Sequence, residues 1–258
     1  MRHLGLFEGI GGFAYAARCI GWKTVAWCEL NKFCQQVLRK NFPEAIGYGD
    51  ITETDFTILR NRIWIITGGD PCQPSSRAGK QLGFDDSRFL WPEMYRSIRE
   101  VQPPWVVNEN VRDTISNGML DRKISDLESE GYTCWPAILT PSCAGSALHE
   151  RYRVWLVAYS HANADRYHAG EIQGEAGAGE AEQPRQDWQR LRAIPRSILT
   201  DDNWCEVASR LCRNVNEVPN RVDRNQAIGN AIDPYIAFQV FQAIEQITTA
   251  HPAETKQP

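Results

Sequence analysis

The sequence predicts an α/β fold: a doubly wound, mostly parallel sheet with helices on both faces, joined to a smaller, weakly patterned region. Three observations carry that prediction. Strand-like and helix-like segments alternate through roughly the first 160 residues. A glycine turn, then Glu29, then Asp50 fall at three successive strand ends, the edge where such sheets bind ligands. The alternation stops after Ser160 and order returns only near the C-terminus.

The elements follow in order. "RHLGLF" is a short apolar run bounded by glycine and reads as a strand. A glycine turn leads into a helix through "FAYAARCIG" that closes at Gly21. "KTVAWCE" is a second strand, and "NKFCQQVLRKNF" a second helix with Asn31 as its N-cap. "IGYGDI", "RIWIIT" and "PPWVVNEN" supply the third, fourth and fifth strands, with the helix "LWPEMYRSIREV" between the last two. "LDRKISDLESEG" is a helix ending at Gly131, and "YTCWPAILT" and "YRVWLVAYS" are strands able to pair as a hairpin. Residues 160–200, rich in Gly, Glu, Ala and Gln, read as loop or a weakly ordered insert. In "DPYIAFQVFQAIEQI", Ile236, Val240, Ile244 and Ile247 are spaced for one helix face. The expected division is 1–159 for the main domain, 160–215 for the reduced region, 216–250 for a segment packing back on the main domain, and 251–258 for a tail.

Composition narrows the classes. At 258 residues the chain suits one large domain with a small appendage. No run of about twenty apolar residues is present, so no membrane span is expected. The start "MRHLGLFEGIGG" turns glycine-rich too soon for a signal peptide, which predicts a cytoplasmic protein. The eight cysteines are scattered without a C-x-x-C pair, so neither a metal site nor a disulfide framework is expected. The net charge of −4 does not point to nucleic acid. It is unevenly spread, however. Residues 171–182 are acidic, while Arg77, Lys80, Arg88, Arg96 and Arg99, and again Arg210, Arg213, Arg221 and Arg224, gather basic charge.

Chemistry concentrates at the strand ends. In "LFEGIGGF", Gly9, Gly11 and Gly12 stand where the backbone turns tightly and a ligand can approach. Glu29 is placed for ribose hydroxyls and Asp50 for an adenine amine. No P-loop lysine follows, which favours a nucleoside without a triphosphate. Cys72 follows the fourth strand in "GGDPCQPSS", with Pro71 and Pro74 restricting the backbone around it. A thiol held on such a loop is a candidate nucleophile. "NENV" brings Glu109 to the same edge as a candidate proton donor, and Arg151 and Arg153 share one face of their strand. Singly, each acid or arginine is more often a surface or ion-pair residue. Together they suit covalent attack on an electron-poor heterocycle with group transfer from a nucleoside cofactor.

"LFEGIGGF", "GGDPCQPSS", "NENV", "RYRVW" and "NQAIGNAIDP", in that order, resemble the DNA (cytosine-5)-methyltransferases. The resemblance covers about Leu4–Ser160 and Arg221–Ile247, and the short length is similar to that of the compact enzymes of phages and prophages. It implies a Rossmann-like methyltransferase fold, S-adenosylmethionine as methyl donor, S-adenosylhomocysteine as product and no metal. It also implies that Cys72 adds to C6 of a flipped-out cytosine, that Glu109 acts at N3, and that Arg153 with Arg151 holds the base. Phe7, Glu8, Gly9, Ile10, Gly11, Gly12, Glu29, Leu30, Asp50, Ile51 and Pro71, with Asn230, Ala231 and Ile232, match the cofactor positions. Gln73, Ser76, Arg77, Lys80 and Arg88 fall on the expected DNA side, in a loop that would close over the base. The implied partner is double-stranded DNA, bound by a monomer, with a cognate restriction endonuclease left open.

This chain departs from the family pattern in several places. Gly5 stands where members carry Asp, a loss expected to loosen the first turn; Leu30 stands where an aromatic stacks on adenine. His149 replaces a Gln, and Ser75 a Phe. Only about residues 160–215 are available for target recognition, with Arg185, Arg190, Arg192 and Arg196 around Trp188 as the expected contact. Two alternatives remain from the residues alone: a transfer RNA cytosine-5 methyltransferase of the same fold, or a non-catalytic nucleic-acid-binding relative.

Overall fold

The computed structural model describes residues 1–71, 89–140, 152–168 and 231–250. Cys72, Gln73, Ser76, Arg77, Lys80, Arg88, Arg151 and Asn230, and the readings made for 169–230 and 251–258, lie outside the described residues.

Among the described residues, seven strands form one sheet: β1 (Arg2–Leu6), β2 (Lys23–Cys28), β3 (Ile46–Tyr48), β4 (Ile65–Gly68), β5 (Trp105–Val111), β6 (Thr133–Leu139) and β7 (Arg153–Tyr159). Their order is β3-β2-β1-β4-β5-β7-β6. The first five run parallel; β7 is inserted antiparallel between β5 and β6. The predicted pairing of the last two strands is therefore present, and β7 also closes on β5, which the sequence did not signal. Leu4, Leu6, Ile65, Ile66, Val106 and Val107 are buried, as central parallel strands covered on both faces require.

Helices cover both faces. On one side α3 (Trp91–Val101) and α5 (Met119–Ser129) pack Trp91, Met94, Ile98 and Leu127 against Leu4, Leu6, Ile66 and Val106. On the other, α1 (Gly12–Cys19) and the last helix, α7 (Pro234–Ala250), pack Phe13, Ala16, Phe241 and Ile244 against Ile65, Trp105 and Val107. Between these come α2 (Lys32–Asn41), α4 (Asp113–Ser116) and α6 (His161–His168). Asn31 caps α2 as its sequence predicts, its Oδ1 accepting from the N–H groups of Phe33 and Cys34 at 2.9 and 3.1 Å.

Two expectations need correction. Ile247 was grouped with the buried face of the last helix but is 52% exposed. The buried stripe of α7 is Ile236, Ala237, Phe241 and Ile244, because Phe241 sets the rotation. Its ring stacks on Trp22 at 4.8 Å, and Trp22 Nε1 donates to Glu245 Oε1 at 3.1 Å. The predicted loop after Ser160 instead starts with the helix α6. "HANADRYH" carries few apolar anchors, and its order comes from tertiary partners. Asn163 Nδ2 donates to the carbonyl of Pro103 at 3.1 Å and to Tyr132 Oη at 2.9 Å, and Tyr167 meets Trp64 edge-on at 4.7 Å.

The strand order reverses between β1 and β4, so the crevice beyond their carboxyl ends is where a doubly wound sheet binds a ligand. β1 exits there into Phe7 and the glycine turn; β4 exits there into Gly69, Asp70 and Pro71.

Candidate active site

The exit of β1 is strained and open. Phe7 has φ +52°, and Gly9 and Gly11 have φ +58° and +96°, left-handed conformations costly for Phe7 and free for the glycines. A side chain at Gly9 would meet nothing within 4 Å, so the backbone there faces open space. Glu29 ties this turn to the end of β2. Its Oε2 accepts from Gly9 N and its Oε1 from Asn31 N, each at 2.7 Å. Each oxygen keeps a further lone pair, the acceptor pattern that two ribose hydroxyls would meet.

Glu8 behaves differently from its neighbours. Its side chain turns inward, and Oε1 accepts from Ala14 N at 2.7 Å at the start of α1. A Cβ built on Gly5 would fall 1.7 Å from Glu8 Oε2. The absence of a side chain at Gly5 therefore leaves no gap: the space is filled by a carboxyl group arriving from Glu8. Burial pushes the Glu8 carboxyl up to about 8 against the pull of the Ala14 N–H, with Glu29 adding a smaller push. Ile232 packs against the helix side of the turn, where a Cβ on Gly12 would lie 2.6 Å from its Cγ1. Together with Ala231, Tyr15, Arg18 and Phe42 it lines a groove of ≈ 350 Å³.

Asp50 opens the 3-10 turn Ile51–Glu53. Its Oδ1 accepts from Thr52 N and Thr52 Oγ1 at 2.9 and 2.8 Å, and these bonds hold its carboxyl below the usual range. Oδ2 makes no contact of this kind with Thr52, which leaves an ionised acceptor for an amine. Arg96 grips this turn from α3: its guanidinium donates to the carbonyls of Ile51 at 2.6 Å and Thr54 at 3.1 Å while pairing with Glu93 and Glu100. Arg96 is thus committed to the turn rather than to a basic face. Arg99 is paired with Glu130 at 3.1 Å. Leu30 is 64% exposed beside Glu29, an apolar surface at the rim.

At the exit of β4 the chain meets β5. A Cβ on Gly69 would sit 3.4 Å from Glu109 Oε2, at ordinary van der Waals contact, so that carboxylate lies against the strand end leading to Cys72. Arg153 Nε is 3.0 Å from Glu109 Oε1. Asp70, unremarked in the sequence reading, is 3% exposed and anchored by Lys123, Asn108 and Asn110. Lys123 was also missed. Its signal was legible: it falls on the stripe of Leu120, Ile124 and Leu127, where a lysine needs a buried partner. Among the described residues no cluster of His, Cys, Asp or Glu could hold a metal, and no helix is long and apolar enough to cross a membrane.

The chain matches the family model described as C-5 cytosine-specific DNA methylase over residues 1–200. It is similar to the type II methyltransferase M.Eco47II of Escherichia coli, 35% identical over 167 residues that make up 63% of this chain and 40% of that protein. It is also similar to the type II methyltransferase M.PspPI of Psychrobacter sp. (strain TA137), 42% identical over 132 residues, 49% of this chain and 32% of that one. The chain therefore spans less than half the length of these curated relatives. Among solved structures, a DNMT2 mutant of Spodoptera frugiperda superposes with a TM-score of 0.53 at 24% identity, covering 62% of this chain and 50% of the other, a likeness of fold.

Proposed function

The chain belongs to the C-5 cytosine-specific DNA methylases, and from that premise we propose that it transfers a methyl group from S-adenosylmethionine to C5 of cytosine in double-stranded DNA. The observation that carries the reading is the approach of the Glu109 carboxylate to Gly69. It sets a candidate proton donor against the strand end that leads to Cys72, at the switch point beside the glycine turn. The residues present fit the cofactor: Glu29 and Asp50 offer acceptors for ribose hydroxyls and an amine, and the open backbone at Gly9 admits close approach.

S-adenosylmethionine, when bound, supplies the sulfonium methyl group. The chain's own residues do the rest. Cys72, as thiolate, adds to C6 of a cytosine extruded from the duplex. Glu109 gives a proton to N3, so that the electron pair released by the addition makes C5 nucleophilic. Arg153, held by Glu109, orients the base with fixed-geometry hydrogen bonds, assisted by Arg151. After methyl transfer the C5 proton passes to water, its electron pair re-forms the C5–C6 double bond as the Cys72–C6 bond breaks, and N3 returns its proton to Glu109, which restores the aromatic ring, the thiolate and the acid. Asn230, Ala231 and Ile232 complete the cofactor site, and Gln73, Ser76, Arg77, Lys80 and Arg88 contact DNA in this reading. Residues 160–215 read the target, and the enzyme acts in the cytoplasm as a monomer.

Expression in a methylation-free host followed by bisulfite sequencing tests the proposal. Protected cytosines are expected with the native chain. A Cys72→Ala chain should leave none while binding S-adenosylmethionine with nearly unchanged affinity. Absence of protected cytosines with the native chain, or transfer to transfer RNA alone, overturns it.

A further inference from the structure

We propose that Lys123 is a positioning residue: through a buried ion pair it holds Asp70, two residues past the end of β4 and two before Cys72, against the strand that carries Glu109. Lys123 Nζ lies 2.5 Å from Asp70 Oδ1 and 2.8 Å from Asn108 Oδ1, over the ring of Trp91 at 5.0 Å. Both side chains of the pair are almost fully enclosed, at 2% and 0% exposure. Asp70 Oδ1 also accepts from Asn108 Nδ2 at 2.8 Å and Asn110 Nδ2 at 3.2 Å. The same amide groups reach the main chain, Asn108 donating to the carbonyl of Gly68 at 2.9 Å and Asn110 to that of Asp70 at 3.0 Å. The two residues flanking Glu109 in sequence therefore grip the β4 exit, and Lys123 supplies the charge that closes the network.

Stability alone does not account for this arrangement. Two charges removed from water lose hydration that their attraction only partly returns, and apolar residues of similar volume often do as well. Asp70 Oδ2 is buried without a hydrogen-bond partner among the described residues, so the network is not a fully satisfied one. What a charged, hydrogen-bonded cluster provides and an apolar contact does not is direction. Asp70 also precedes Pro71, whose ring disfavours helical backbone at the residue before it. Side-chain anchoring and backbone restriction thus act on one residue, and together they set the heading of the chain as it leaves the sheet.

The test compares Lys123→Met, Asp70→Asn and the double variant with the native chain. Each single change strands one buried group, and both single variants should melt lower than the native chain. The double variant removes both charges and should melt close to it. In that double variant, amide hydrogen exchange in the peptide 65–71 should rise several-fold while β1 and β2 keep native protection. S-adenosylmethionine affinity should hold, and single-turnover transfer to duplex DNA should fall by roughly 10- to 100-fold. If the double variant does not regain its melting temperature, Lys123→Gln with Asp70→Asn, a neutral amide pair of similar reach, is read in the same way. Native exchange in 65–71, or native transfer, in a double variant of restored melting temperature overturns the proposal. The kinetic arm rests on the activity proposed above. A native chain that transfers nothing counts against that activity, and the exchange measurement then decides the role of Lys123 by itself.

Discussion

Arg153 meets Glu109 diagonally across two antiparallel strands, Nε to Oε1 at 3.0 Å. Glu109 is registered opposite Trp155, and Arg153 opposite Val111, so the pair spans one step of the ladder on a shared face. The other oxygen of Glu109 approaches Gly69. One carboxylate therefore links the β7 arginine to the exit of β4.

This linkage predicts unequal effects of two conservative changes. Glu109→Gln keeps the shape but cannot give up a proton, and single-turnover transfer should fall by about 10²- to 10⁴-fold. Arg153→Lys keeps the charge but replaces a planar fork with a point donor, and a smaller loss of roughly 10- to 100-fold is expected. Cofactor affinity should be unchanged in both, by calorimetry. Native rates in Glu109→Gln would remove the acid from the mechanism.

Stability should depend on pH through two buried groups of opposite sign. Burial raises the Glu8 carboxyl from 4.5 to about 8. Folding then takes up a proton between those values, so stability falls as pH rises through that window. Burial lowers the His3 imidazole from 6.5 to about 3, with Thr24 and Thr67 hydroxyls on its two nitrogens. There the unfolded chain binds the extra proton, so stability falls as pH drops through that range. The two slopes oppose each other between 4.5 and 6.5, which leaves the Glu8 loss uncompensated from there up to about 8. Melting temperatures of the native chain and Glu8→Gln should diverge with rising pH in favour of the variant. A constant difference from about pH 5 to pH 9 would contradict the assignment.

Arg96 should matter to the cofactor and not to the chemical step. Its two carbonyl contacts hold the turn that presents Asp50 and Ile51. Arg96→Ala is expected to weaken S-adenosylmethionine binding roughly tenfold, the equivalent of one charge-assisted hydrogen bond, with transfer at saturating cofactor retained. Titration calorimetry reads the first quantity and single-turnover kinetics the second. Unchanged affinity would show the turn to be rigid without its clamp.

Much of the architecture was legible because it is written in local patterns. Apolar runs bounded by glycine or proline locate β1, β4 and β5; Asn31 and Gly131 mark helix ends; and the glycine turn, Glu29 and Asp50 fall at strand ends by chain order alone. The helix α6 was not legible, since its order depends on Pro103, Tyr132 and Trp64 from distant segments. The rotation of α7 was misjudged at Ile247 for the same reason: periodicity defines an apolar stripe, while Trp22 selects which part of it is covered.

The sequence by itself determined the sheet's parallel half, the residues available at its functional edge and the family to which those motifs belong, because these follow from periodicity and from short contiguous strings. Tertiary structure alone decided three other matters. It filled the space at Gly5 with the Glu8 carboxyl, turned Arg96 from a surface cation into a clamp, and buried Lys123 against Asp70. Each depends on which groups meet across the fold. A side chain's charge is fixed by its chemistry, but what that charge does is set by the partner and the solvent exclusion that packing supplies.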